Sequence, residues 1–115
     1  MKFLYLVHGD TEAEAKLSSD ERMQIVEEHM AYTKMLRDLG AYVSGEALDD
    51  PRGSSVVVRP GRTPLVSDGP FAETKEAIGG FYVVDVENRD RALELAGKVP
   101  ASPGVAVEVL QIVEF

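Results

Sequence analysis

The chain has 115 residues, no cysteine, 44% apolar residues and a formal charge of −8. That length supports one domain with one core, and the lack of thiols excludes a disulfide scaffold, a thiolate metal site and a cysteine nucleophile. The excess of 20 acidic over 12 basic residues argues against a nucleic-acid surface, which needs clustered cations to release counterions.

Met1 to Val7 is apolar but stops at His8-Gly9-Asp10. It is too short for a membrane span of about 20 apolar residues, and no small-residue cleavage site follows it. It is therefore read as a strand, and with the missing cysteines a cytoplasmic location is the expectation. Phe3, Tyr5 and Val7 point one way, while Leu4, Leu6 and His8 point the other. Both sides are apolar, so both are expected to be covered.

Ser18-Ser19-Asp20-Glu21 is a capping box that opens a helix. Met23, Val26, Met30, Leu36 and Leu39 are expected to form its core stripe, with Gly40 ending it. His29 is expected to face solvent beside Arg22 and Thr33. Ala41 to Ala47 is a second strand with a weak point at Gly45. After the Asp49 to Gly53 turn, Ser55 to Arg59 and Thr63 to Val66 flank Pro60-Gly61-Arg62 as a hairpin. Gly80 to Val86 is the next strand. A short helix starts at Asn88 or Asp90, carries Ala92, Leu93, Leu95 and Ala96, and closes at Gly97 and Pro100. Val105 to Phe115 is the last strand, with Val105, Val107, Val109, Val113 and Phe115 on one face.

The order is β-α-β, a hairpin excursion, then β-α-β. This is an α+β, ferredoxin-like βαββαβ antiparallel sheet with a β-hairpin insertion and both helices on one face. The other face would be bare and apolar, which marks an interface. A two-fold homodimer through that open sheet face is expected, with Val107 and Val109 placed in it. The same topology brings His8 and Glu46 to one edge, together with the start of the first helix, the excursion from Leu48 to Gly79 and the Ala101 to Gly104 turn.

The densest polar segment is Asp68-Gly69-Pro70-Phe71-Ala72-Glu73-Thr74-Lys75-Glu76. The run "DGPFAETKEAIGGFYVVDV" resembles the hallmark of the DGPF branch of YCII-related proteins. "MKFLYLVHGD", "GAYVSGEAL" and "VEVLQIVEF" are similar too, so the resemblance spans nearly the whole chain. It implies a dimeric α+β barrel, in which two sheets pack face to face. It also implies a functional link, in some members, to extracytoplasmic-function sigma factors. More distant relatives carry a His–Asp pair proposed as catalytic, and one is a dehydrochlorinase. There the histidine lies early in the first helix and the aspartate near the second strand. Here His29 is mid-helix and no Asp lies between Gly40 and Leu48, so that pair does not carry over.

The catalytic candidates are Asp68 and His8, a carboxylate and an imidazole able to exchange protons at one edge. Asp68 also has a structural reading that suffices by itself and is preferred, since Asp before Gly-Pro is strong turn chemistry. Glu46, Phe71, Glu73, Lys75 and Glu76 are the ligand-binding candidates. Glu73, Lys75 and Glu76 form a charge run of the kind that is more often a solvated loop or a salt-bridge knot. No metal or cofactor is expected. His8, His29, Glu46 and Asp68 lack ligand spacing, and there is no nucleophile elbow or phosphate-binding glycine loop. Two readings stay open: a dimer that binds a small ligand or a regulatory partner, and a small-molecule lyase or hydrolase.

Overall fold

The computed structural model describes residues 1–71, 76–100 and 106–115, with the backbone alone for Glu76. Its main sheet has four antiparallel strands. They are β1 (Lys2–Asp10), β2 (Tyr42–Ala47), β5 (Glu76–Asp85) and β6 (Val107–Gln111), in the order β2-β5-β1-β6. Strands β3 (Ser55–Val58) and β4 (Leu65–Asp68) form a separate hairpin. The helices are α1 (Thr11–Ala15), α2 (Ser19–Asp38) and α3 (Arg89–Ala96). The antiparallel βαββαβ sheet with an inserted hairpin is the ferredoxin-like arrangement expected from the pattern.

Local chemistry sets the helix ends. The Ser18 hydroxyl accepts from the Glu21 N–H and the Glu21 carboxylate accepts from the Ser18 N–H, both at 3.1 Å. At the other end Gly40 takes a φ of 72°. This lets the Ala41 N–H reach the Leu36 carbonyl and the Gly40 N–H reach the Arg37 carbonyl, a Schellman motif. Asp10 caps the short α1, which the apolar pattern had not revealed.

The core lies between α2, α3 and one sheet face. Tyr5, Phe3, Leu36, Leu95 and Val84 are fully buried, each contributing about 1.5–3 kcal/mol. Two tyrosines bolt the layers together. The Tyr5 hydroxyl donates to the Ala92 carbonyl at 2.5 Å and the Tyr32 hydroxyl to the Leu95 carbonyl at 2.8 Å. Burial pushes the Tyr5 hydroxyl up to about pKa 12, and pushes Tyr32 up as well.

Two expectations are corrected here. The core stripe of α2 is Tyr32 and Leu36, with Ile25 and His29 partly covered on the same line. Met23, Val26, Met30 and Leu39 are exposed. Helical geometry explains the difference, since 25, 29, 32 and 36 follow a four-three-four spacing. The aromatic and imidazole members disguised that stripe. Val107 and Val109 also pack against the helix-side core, not on the open face. Val109 pairs with buried Tyr5, and directly paired residues share a face. The open face is built from Leu4, Leu6, Phe81, Val83 and Leu110, which pair Leu4 with Val83 and Leu110, and Leu6 with Phe81.

The molecule is a slab of 44 × 44 × 19 Å with a radius of gyration of 15.9 Å. A compact chain of this length would have about 13 Å. The hairpin accounts for part of the excess, since Val57, Leu65 and Val66 on it are exposed.

Candidate functional site

The sheet is wider than the helix contact that covers it. From Tyr32 onward α2 lies on the core, while its N-terminal half stands off the strand ends. A cleft of about 900 Å³ opens between them, at the upper end of the range for small-molecule sites. Leu17, Ile25, Val26 and Met30 form its apolar wall, and Val7, Gly80 and Tyr82 its floor.

Polar groups converge inside. His29 Nδ1 lies 2.7 Å from the Tyr82 hydroxyl, and the two rings stack with centroids 6.0 Å apart and planes 13° apart. His29 is half-buried rather than solvent-facing, and burial lowers its pKa. Burial raises the pKa of Tyr82, with Thr33 opposing that effect from beside its hydroxyl. The imidazole is thus neutral at pH 7 and the phenol protonated. Tyr32 meets Tyr82 edge-on at 5.1 Å, so the pair is braced by the core.

Gly45 makes this placement achievable. It pairs with Tyr82 across β2 and β5, and a Cβ there would come within 2.8 Å of the Tyr82 ring. The residue read as a weak point in a strand is the space in which the aromatic lies. Gly80 does similar work, since a Cβ would meet the Glu46 carbonyl at 3.0 Å.

Of the residues expected to act together, His8 and Glu46 both line the cleft, along with Asp10, Glu14 and Glu21 near the helix start. The shared edge foreseen from topology is therefore real. The His8 ring, however, is held by Glu108, Nε2 to Oε1 at 3.0 Å. Glu108 pairs with Leu6, so this contact sits on the open face. Asp68 and Phe71 are exposed and do not line the cleft. Among the described residues the Asp68 carboxylate forms no hydrogen bond, while the Gly69 N–H donates to the Ser54 carbonyl at 2.7 Å. Glu73, Lys75 and the Ala101 to Gly104 turn lie outside the described residues, and Glu76 begins β5 opposite Asp10.

His29 and Tyr82 are the functional candidates that sequence reasoning missed. The signal was present in the four-residue step from Ile25 to His29, which places the imidazole on the core stripe. Among the described residues no group of three or more acidic, histidine or cysteine side chains is arranged to hold a metal. No described helix is long and apolar enough to cross a membrane.

Comparison with known proteins gives two findings. The family model for the YCII-related domain matches residues 1–115. An uncharacterised protein of Rhizobium meliloti (strain 1021) is 27% identical over 96 residues, covering 84% of this chain and 77% of that protein.

Proposed function

Since the chain belongs to the YCII-related family, whose relative here has no assigned activity, we propose from the site itself that it is a small homodimeric domain that binds a small organic ligand. The observation that carries this reading is the cleft, apolar in its walls and ending on the His29–Tyr82 pair at the edge where His8 and Glu46 emerge. A ligand there is shielded by the helix on one side and meets a fixed hydrogen-bonding pair on the other. The test is a thermal-shift screen of small phenols, amines and carboxylates on the wild type and on Val26→Trp, which fills the cleft. A ligand at about a hundredfold excess over its Kd stabilises by about 2.7 kcal/mol. Hits should vanish in Val26→Trp; hits that persist in it would place binding elsewhere.

The dimer is supported by the uncovered face of Leu4, Leu6, Phe81, Val83 and Leu110 and by the expanded radius. Apolar surface of that extent, on a strand layer with one side already packed, is stabilised by a second layer. Leu6→Asp should give folded monomer by light scattering, because it charges the open face alone. An unchanged dimer mass would remove the interface from this face.

A second reading, a lyase or hydrolase, is favoured by one feature. A neutral, half-buried imidazole hydrogen-bonded to the hydroxyl of buried Tyr82 is a candidate general base. The Asp68 and His8 pair is less well supported, because Asp68 lies away from the cleft and the His8 ring is engaged by Glu108. An enzyme would lose turnover in His29→Gln while retaining ligand affinity. Loss of affinity in His29→Gln, with no turnover by the wild type, favours binding alone.

A further inference from the structure

The cleft has a charge preference that can be read from its lining. Asp10, Glu14, Glu21, Glu28 and Glu46 border it, against Lys34 and Arg37. The two cations leave three of the five carboxylates unbalanced, and Lys34 is further offset by an acidic neighbour outside the lining. Lys34 is paired with Asp38 at 2.7 Å, and Arg37 lies over the Tyr42 ring at 4.7 Å. Two of the carboxylates have local tasks, Asp10 capping α1 and Glu21 closing the capping box. Glu14, Glu28 and Glu46 form no ion pair among the described residues. The polar pair at the floor adds no positive charge, since burial keeps His29 neutral. Among the described residues an anion would therefore enter a field in which carboxylates outnumber cations.

From this balance, and resting on the reading of the cleft as a ligand site, we propose that its ligand is a small organic cation: an ammonium or amidinium group carried on an apolar body. The apolar body would lie against Val26, Met30 and Ile25. The cationic head would meet the carboxylates at the mouth, Glu28 and Glu46 among them. The cleft stands on its apolar walls and its hydrogen-bonded floor; the carboxylates decide only which sign of ligand enters.

The experiment uses three probes with one apolar body, 2-phenylethylamine, 2-phenylethanol and 3-phenylpropionate. Each is titrated into the wild-type protein while the methyl signals of Met30 and Val26 are followed by NMR. The amine should shift those signals at the lowest concentration and the carboxylate should not shift them. Added salt should weaken the amine, as screening of exposed charges requires. Glu46→Gln and Glu28→Gln should each weaken it about threefold, the size of one screened charge at the cleft mouth. Equal shifts by the alcohol, or stronger shifts by the carboxylate, would overturn the cationic class and leave the cleft as a ligand site. Silence from all three at millimolar concentration would overturn the class and the underlying reading together. Binding of the amine that is unchanged in both Gln variants would also overturn the proposal.

Discussion

The two halves of α2 are one continuous helix with two different jobs. From Tyr32 to Asp38 it is sealed to the core, with Leu36 at 0% exposure and the Tyr32 hydroxyl tied to α3. From Ser19 to Met30 it carries Met23, Ile25, Val26 and Met30, yet Val26 and Met30 are 51% and 67% exposed. Both halves satisfy their backbone hydrogen bonds in the same way. What differs is the layer underneath. Strands β1 and β5 and helix α3 meet the C-terminal half, whereas the N-terminal half is separated by the cleft from the ends of β1, β2 and β5. Apolar content alone thus does not mark a core position. The same residues close a core where a second layer backs them and line a site where none does.

The largest expected effect tests this contrast directly. Leu36→Ala should cost about 2–5 kcal/mol in chemical denaturation, as for a fully buried leucine whose cavity cannot collapse. Met30→Ala, on the exposed part of the same helix, should stay within about 0.5 kcal/mol. Similar losses in both would mean that the N-terminal half is buried in solution, against the contrast drawn here.

Gly45→Ala probes the boundary between the two regions. The new Cβ would crowd the Tyr82 ring, and overpacking of this kind costs about 1–3 kcal/mol. It should also disturb the His29 contact, seen as a changed imidazole titration by NMR. An unaltered titration would show that Tyr82 does not need the space at Gly45.

A smaller effect concerns pH. The folded imidazole of His29 binds a proton less readily than the unfolded one, whose ordinary value is 6.5. The unfolded state therefore takes up protons first as pH falls, and stability is lost below about that pH until the folded imidazole titrates too. The melting temperature should drop on acidification through this window, and should drop less in His29→Gln. Parallel profiles for the two proteins would mean that His29 is not desolvated.

The smallest effect is expected at Asp68. Its carboxylate is exposed and without a hydrogen bond among the described residues, so Asp68→Asn and Asp68→Ala should both remain within about 0.5 kcal/mol of wild type. A clear deficit in Ala but not in Asn would restore the turn-acceptor reading that Asp before Gly-Pro suggests.

Much of this architecture was determined locally, by residues acting on their own backbone. The Ser18–Glu21 capping box, the Gly40 terminus, the Asn88 cap of α3 and the Pro60-Gly61-Arg62 turn sit where their side-chain and dihedral chemistry puts them. The alternation of Phe3 to His8 likewise decided which residues share a face of β1, and the element order decided that His8 and Glu46 share an edge. What no local rule could decide was which apolar surface found a partner. Val109 pairs with Tyr5 and Leu110 with Leu4, and only the strand register sends the first to the helices and leaves the second uncovered. His29 was hidden for the same reason. Its partner Tyr82 is 53 residues away, and the pair forms only because Gly45, on a third element, leaves room for the ring. Burial is a property of neighbours distant in sequence, so the core, the open face and the cleft belong to the tertiary structure.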